Sequence, residues 1–190
     1  MNEESTGPEH DEDVDPALVA AVVEIEGHVA ADGWDQASRL FALADTAELV
    51  TREPDLAASA GIDDDGVAGS LTPIEQEQPG TGQQLEELLA QITWPEQVVG
   101  CVAVVERLVL PPEVDEEIPE DPEAADAFAR EHPMRQEVRL VAGATRTGAA
   151  YCALRLRSHD DDQSVLTGTD LVPQLVDLLR ATLEEETSSE

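Results

Sequence analysis

The sequence predicts an α+β domain: an antiparallel sheet of three to five strands with helices packed against it. Three stretches carry that prediction. Val98 to Leu110, VVGCVAVVERLVL, is the longest β-branched and apolar run, closed by Pro95 before it and Pro111-Pro112 after it. Val138 to Arg157 alternates in period two around the polar turn Thr145-Arg146-Thr147-Gly148, the pattern of an antiparallel hairpin. Apolar residues at helical spacing occur near both ends of the chain, at Leu18, Val19, Val22, Val23, Ile25 and Val29 and again from Leu171 to Leu183.

Taken in order, residues 1–14 are acidic and aperiodic, and are expected to be a disordered tail. Asp15-Pro16 opens the first helix, with Asp15 as N-cap and Pro16 at the first helical position, and Gly33 closes it after Ala31. A short strand is expected from Arg39 to Ala44. Asp45-Thr46-Ala47-Glu48 then starts a helix that stops before Pro54. Residues 55–70 read as loop. Leu71 to Glu75 reads as a short edge strand, because Pro73 bars it from a central place. Leu85, Leu88, Leu89 and Ile92 mark a short helix ended by Trp94-Pro95. Both faces of the Val98 strand are apolar through its first half, so it needs a cover on each side: helices on one, a second helix layer or another subunit on the other.

Residues 111–133 are dominated by acid and proline and read as an exposed excursion with one helical turn near Ala124 to Arg130. Ser158 to Gln163 reads as an acidic loop. Thr169-Asp170 is expected to cap the last helix, Leu171 to Leu183, and 184–190 to fray. Residues 15–183 thus form one domain.

The 190 residues carry a net charge of -33, and all ten basic residues are arginine. The acid is concentrated: 26 of the 43 acidic residues fall in 1–15, 63–65, 111–132, 160–162 and 184–190, together with one arginine, Arg130. The rest has an ordinary balance for a soluble domain. Such a surface repels nucleic acid and anionic membrane, which both need a basic footprint. The N-terminus lacks the positive charge and apolar stretch of a secretory signal. Cys101 and Cys152 both fall in strands, where buried, reduced thiols are expected.

No motif carries recognisable catalytic chemistry, and no cofactor or metal is expected. Asp63-Asp64-Asp65-Gly66 fails as a calcium loop, since placing Gly66 sixth puts Gly61 first and Thr72 twelfth, where acids are required. His159-Asp160-Asp161-Asp162 has oxygen ligands and an imidazole but no helix to orient them. The constellation that stands out is basic. Arg139, Arg155 and Arg157 take alternate positions on the hairpin, with Tyr151 on the face of the last two. Guanidinium groups match carboxylate and phosphate bidentately, so this face is a candidate anion site. The competing reading, which the abundance of acid favours, is that these arginines pair with the protein's own carboxylates on an exposed face.

Several segments resemble an uncharacterised family of small acidic actinobacterial proteins: Trp34-Asp35 with Arg39 to Leu43, Trp94-Pro95 with the valine-rich strand, Arg139-Leu140, Leu154 to Arg157, Leu166-Thr167-Gly168 and Leu171-Val172-Pro173. The resemblance runs from about Pro16 to Leu183, and the loop at 111–132 carries none of it. It implies a cytoplasmic bacterial protein of unknown function and supplies no catalytic residues. It also makes a GC-rich genome the better reason for the missing lysine.

The sequence therefore points to a non-enzymatic interaction module that binds another protein or dimerises. The first alternative is a small-molecule binder or enzyme using the arginine face for an anionic ligand. The second is an acidic nucleic-acid mimic, which the placement of acid in loops and tails disfavours.

Overall fold

Two aliphatic cores lie on opposite faces of a single antiparallel sheet, giving three layers. The structure is a computed structural model and describes residues 14–62, 68–77 and 84–184. The strands are β1 (Arg39–Asp45), β2 (Leu71–Glu75), β3 (Val98–Val109), β4 (Gln136–Thr145), β5 (Ala150–Leu156) and β6 (Leu166–Gly168). Their order in the sheet is β2-β1-β3-β4-β5-β6. The valine-rich β3 is central, as two apolar faces require, and β2 with Pro73 is an edge.

The first helix, α1 (Pro16–Ala31), starts where Asp15 accepts a hydrogen bond from the Ala17 N–H at 2.9 Å. Its buried stripe of Leu18, Ala21, Val22, Ile25 and Val29 packs on Phe41, Leu43, Val102, Val104, Val141 and Ala153. Each large aliphatic so buried contributes about 1.5–3 kcal/mol. Gly143 permits this approach: a Cβ there would lie 2.9 Å from Leu18 Cδ1 and Val22 Cγ2.

The opposite face of the sheet is covered by α4 (Leu85–Leu89), by Trp94 and by α6 (Pro173–Leu183). The β4–β5 turn is tied to this layer by Arg146. Its guanidinium donates to the carbonyls of Val98 at 2.7 Å, Trp94 at 3.1 Å and Leu183, the last residue of α6. The second cover of β3 is thus the chain's own helical layer and not another subunit.

Two helices, α2 (Thr46–Arg52) and α3 (Pro54–Ser59), lead from β1 toward β2; Asp45 caps the former by accepting from the Glu48 N–H at 3.0 Å. The acidic excursion holds a 3-10 turn at Pro112–Glu117 and α5 (Pro122–Glu131), capped by Asp121.

Several expectations need correction. The sheet has six strands, not three to five, because Leu166–Gly168 is too short to show as a period-two pattern. Residues 55–70 are not wholly loop, since Pro54 opens α3. The last helix starts at Pro173, and its N-cap residue is Val172 without a side-chain cap, so Thr169-Asp170 does not cap it. The excursion carries a ten-residue helix in place of one turn. The acidic tails, apart from Val14 and Glu184, and the turn at Asp63-Asp64-Asp65-Gly66 lie outside the described residues. Among the described residues, no helix is long and apolar enough to cross a membrane.

Candidate functional site

The β-ladder itself assembles the basic cluster. Glu106 of β3, Arg139 of β4 and Arg155 of β5 are successive register partners, so one cross-strand row carries one carboxylate and two guanidinium groups. Like charges directly opposite are destabilising unless other groups neutralise them. Here neutralisation comes from α1 and two loops.

Arg155 is not on an exposed face, as the sequence suggested; it is only 2% exposed, because α1 and the loop after β5 close over it. Glu26 grips it bidentately, with Nε donating to Oε1 at 2.6 Å and Nη2 to Oε2 at 3.0 Å. Asp160 accepts from Nη1 at 3.1 Å and Asp162 from Nη2 at 2.7 Å. Glu26, followed by Asp162 and Asp160, holds the Arg155 proton more tightly than an ordinary guanidinium does. Glu26 is itself buried, within the apolar stripe of α1.

Arg139 is deeper still, at 1% exposure. Its Nη2 donates to Glu106 Oε1 at 2.8 Å and to the carbonyl of Gly33. The Trp34 ring stacks on it with 4.4 Å from Cζ to the centroid, a cation–π contact. Among the described residues, its Nε and Nη1 find no hydrogen-bond partner. The loop from Gly33 to Gln36 makes this lid. Glu106 Oε2 accepts from the Asp35 N–H at 2.8 Å and the Gln36 N–H at 3.2 Å, and Asp35 takes a left-handed φ of 65°. Trp34 Nε1 donates to Asp160 Oδ2 at 2.9 Å. That bond, followed by the Arg155 contact, lowers the Asp160 carboxyl below its ordinary value.

Arg157 lies at the rim. Its Nη1 and Nη2 reach Asp35 at 2.9 and 3.0 Å, and Glu137 accepts from Nη1 at 2.9 Å. Tyr151 is half-buried in the α1-side core opposite Gly143. It sits four residues from Arg155, about 13 Å along a strand, so the structure does not bring it to the arginines.

The charge balance decides what the cluster can do. Arg139, Arg155 and Arg157 contact six carboxylates: Glu26, Asp35, Glu106, Glu137, Asp160 and Asp162. An incoming anion therefore meets a net negative shell. Sequence reasoning missed these six partners and Trp34. Glu26 alone left a signal, as a carboxylate within the apolar stripe of α1. Register and loop closure, which supply the others, leave none.

Elsewhere, chemistry is sparse. Burial pushes the Cys101 thiol up to about 11 and raises that of Cys152, so neither is a thiolate nucleophile at neutral pH. Among the described residues, no three His, Cys, Asp or Glu side chains converge to hold a metal ion. A cleft of about 850 Å³ lies between the starts of α1 and α6 and the β4–β5 turn. Its cation, Arg180, donates to the Gly148 carbonyl at 2.9 Å and lies 3.7 Å from Asp177.

Residues 18–184 match the model of the PPA1309-like protein family. The chain belongs to that family. The match spans α1 through α6 and so includes the entire arginine network and both cores. The PPA1309-like family is uncharacterised and assigns no role to these residues. No curated protein and no solved structure matches the chain.

Proposed function

We propose that the protein is a non-enzymatic protein-interaction module of the bacterial cytoplasm. The observation that carries this reading is the self-sufficiency of the arginine network. The groups best suited to bind a small anion already hold six of the chain's own carboxylates, and two of the three arginines are buried. The network then serves to fix α1 and two loops on the sheet. What the fold leaves open is surface: Leu166, Leu171 and Leu178 remain exposed although both sheet faces are covered.

One observation favours the second reading, a small-molecule anion site. Arg139 keeps two unpaired donors beneath Trp34, and a ligand oxygen admitted by movement of that ring would satisfy them.

The test is cross-linking of the tagged protein in extracts of its host, followed by gel filtration. A discrete complex of defined stoichiometry supports the module. A protein that stays monomeric throughout, while a thermal-shift screen finds an anionic metabolite that stabilises it, replaces the first reading with the second.

A further inference from the structure

We propose that the open edge of the sheet at β6, with the approach to α6, receives a cationic, leucine-bearing segment of the partner protein. This rests on the interaction reading above. Val105, Leu140, Leu154 and Leu166 are successive register partners on the α6 side of β3, β4, β5 and β6. Exposure climbs along that row, from 3% at Val105 and 8% at Leu140, through half-buried Leu154, to 56% at Leu166. The helical layer ends before the apolar row does.

Leu171 extends the row around the edge. Leu166 and Gly168 share one face of β6, and Leu171 Cδ2 lies 3.5 Å from the position a Gly168 Cβ would take. That is ordinary van der Waals distance, so Leu171 lies beside β6 on the face that carries Leu166. β6 is also the last strand of the order, so among the described residues no neighbouring strand covers its outer backbone. The opposite edge is blunted by Pro73 and by Glu75, which Arg39 holds at 2.6 Å.

Charge names the partner. Asp161 precedes β6 and Asp170 follows it, both exposed, whereas Asp162 is committed to Arg155 on the α1 side and Asp177 of α6 to Arg180. Arg180, the neighbouring cation on α6, is engaged by the Gly148 carbonyl and Asp177. A second copy of this chain would bring the same carboxylates and its own net charge of -33 to the contact. A segment alternating apolar and basic residues seats its apolar side on the leucines and neutralises the rim. With only three residues in β6, side chains and charge carry the contact more than backbone pairing does.

The test is an NMR titration of the full-length 15N-labelled protein with two decapeptides of equal charge, one alternating leucine and lysine, the other serine and lysine. The expected result is shifts confined to the segment from Val165 to Leu171 and to Leu178. Affinity should fall at least tenfold for the serine peptide and for the Leu166→Gln/Leu171→Gln variant, with the rest of the spectrum unchanged. Shifts spread over the acidic excursion, or equal binding of both peptides, would overturn the proposal. So would undiminished binding by the variant. Should the native complex form normally with this variant, the β6 surface is excluded and the interaction reading stands. If neither protein forms a complex, the interaction reading itself fails.

Discussion

Glu26 and Arg155 join α1 to the sheet through two parallel hydrogen bonds of 2.6 and 3.0 Å, in a place where both side chains are almost fully buried. A buried pair gains little net stability over a well-packed apolar substitute, but breaking it strands a charge in low dielectric. The pair therefore acts chiefly to specify how α1 sits on β5. Its geometry also draws in Asp160 and Asp162, which anchors the loop after β5.

Glu26→Gln leaves Arg155 buried without its main counter-charge. The expected cost is about 3–5 kcal/mol in urea denaturation. Glu26→Leu combined with Arg155→Met should cost less than either substitution alone, because it removes both charges. A cost below about 0.5 kcal/mol for Glu26→Gln, the range of an ordinary surface change, would show that the pair is not buried in solution.

The thiols give a second prediction. Cys101 lies between β3 and α6, with Sγ 3.7 Å from Thr182 Oγ1, and burial pushes its thiol up to about 11. Cys152 is also buried, and its thiol is raised for the same reason. Neither should react with a thiol reagent at pH 8 in the native protein, and both should react promptly in denaturant. Fast native labelling of either would mean that the cover of α6 over that strand is wrong.

Acid should destabilise the protein in a defined window. The Asp35, Glu75 and Asp160 carboxyls are lowered, chiefly by the Arg157, Arg39 and Trp34 hydrogen bonds respectively. A carboxyl whose folded value lies below its unfolded one stabilises fully above the unfolded value and loses that effect as pH falls through the folded one. The ordinary values are 3.8 for the two aspartates and 4.5 for the glutamate, so the loss begins near pH 4 and continues below it. Thermal melts should hold from pH 7 to about 5 and fall below about 4. Asp160→Asn should flatten the acid limb. An unchanged limb in that variant would remove Asp160 from the stabilising set.

Much of the fold was legible because its signals are local. Pro95 and Pro111 bounded β3, Asp15-Pro16 and Asp45 marked two helix starts, and Pro73 put β2 at an edge. The two apolar faces of β3 required two covers, and α1 on one side with α4 and α6 on the other supply them. β6 escaped because three residues cannot display a period, and α3 because Pro54 looked like a stop when it occupies a first helical turn. The site was half legible. Alternation placed Arg139, Arg155 and Arg157 on one face, but their burial depends on α1 lying above them. Glu26 is separated from Arg155 by 129 positions, and Asp160 and Asp162, five and seven positions away, reach it only because the loop after β5 folds back. Tyr151 shared the face yet lies a full strand-half away, which alternation alone could not show.

The most direct measurement is the NMR signal of the arginine Nε–H groups during titration with inorganic phosphate and then citrate. The central claim is that the chain's own carboxylates hold Arg155 and Arg157 and that no ligand is needed. The expected result is a slowly exchanging Arg155 Nε–H, bonded to Glu26, that neither anion moves at millimolar concentration. Glu26→Gln should make that signal exchange faster. A saturable shift of the Arg155 or Arg139 signal on adding either anion would contradict the claim and make the cluster a ligand site.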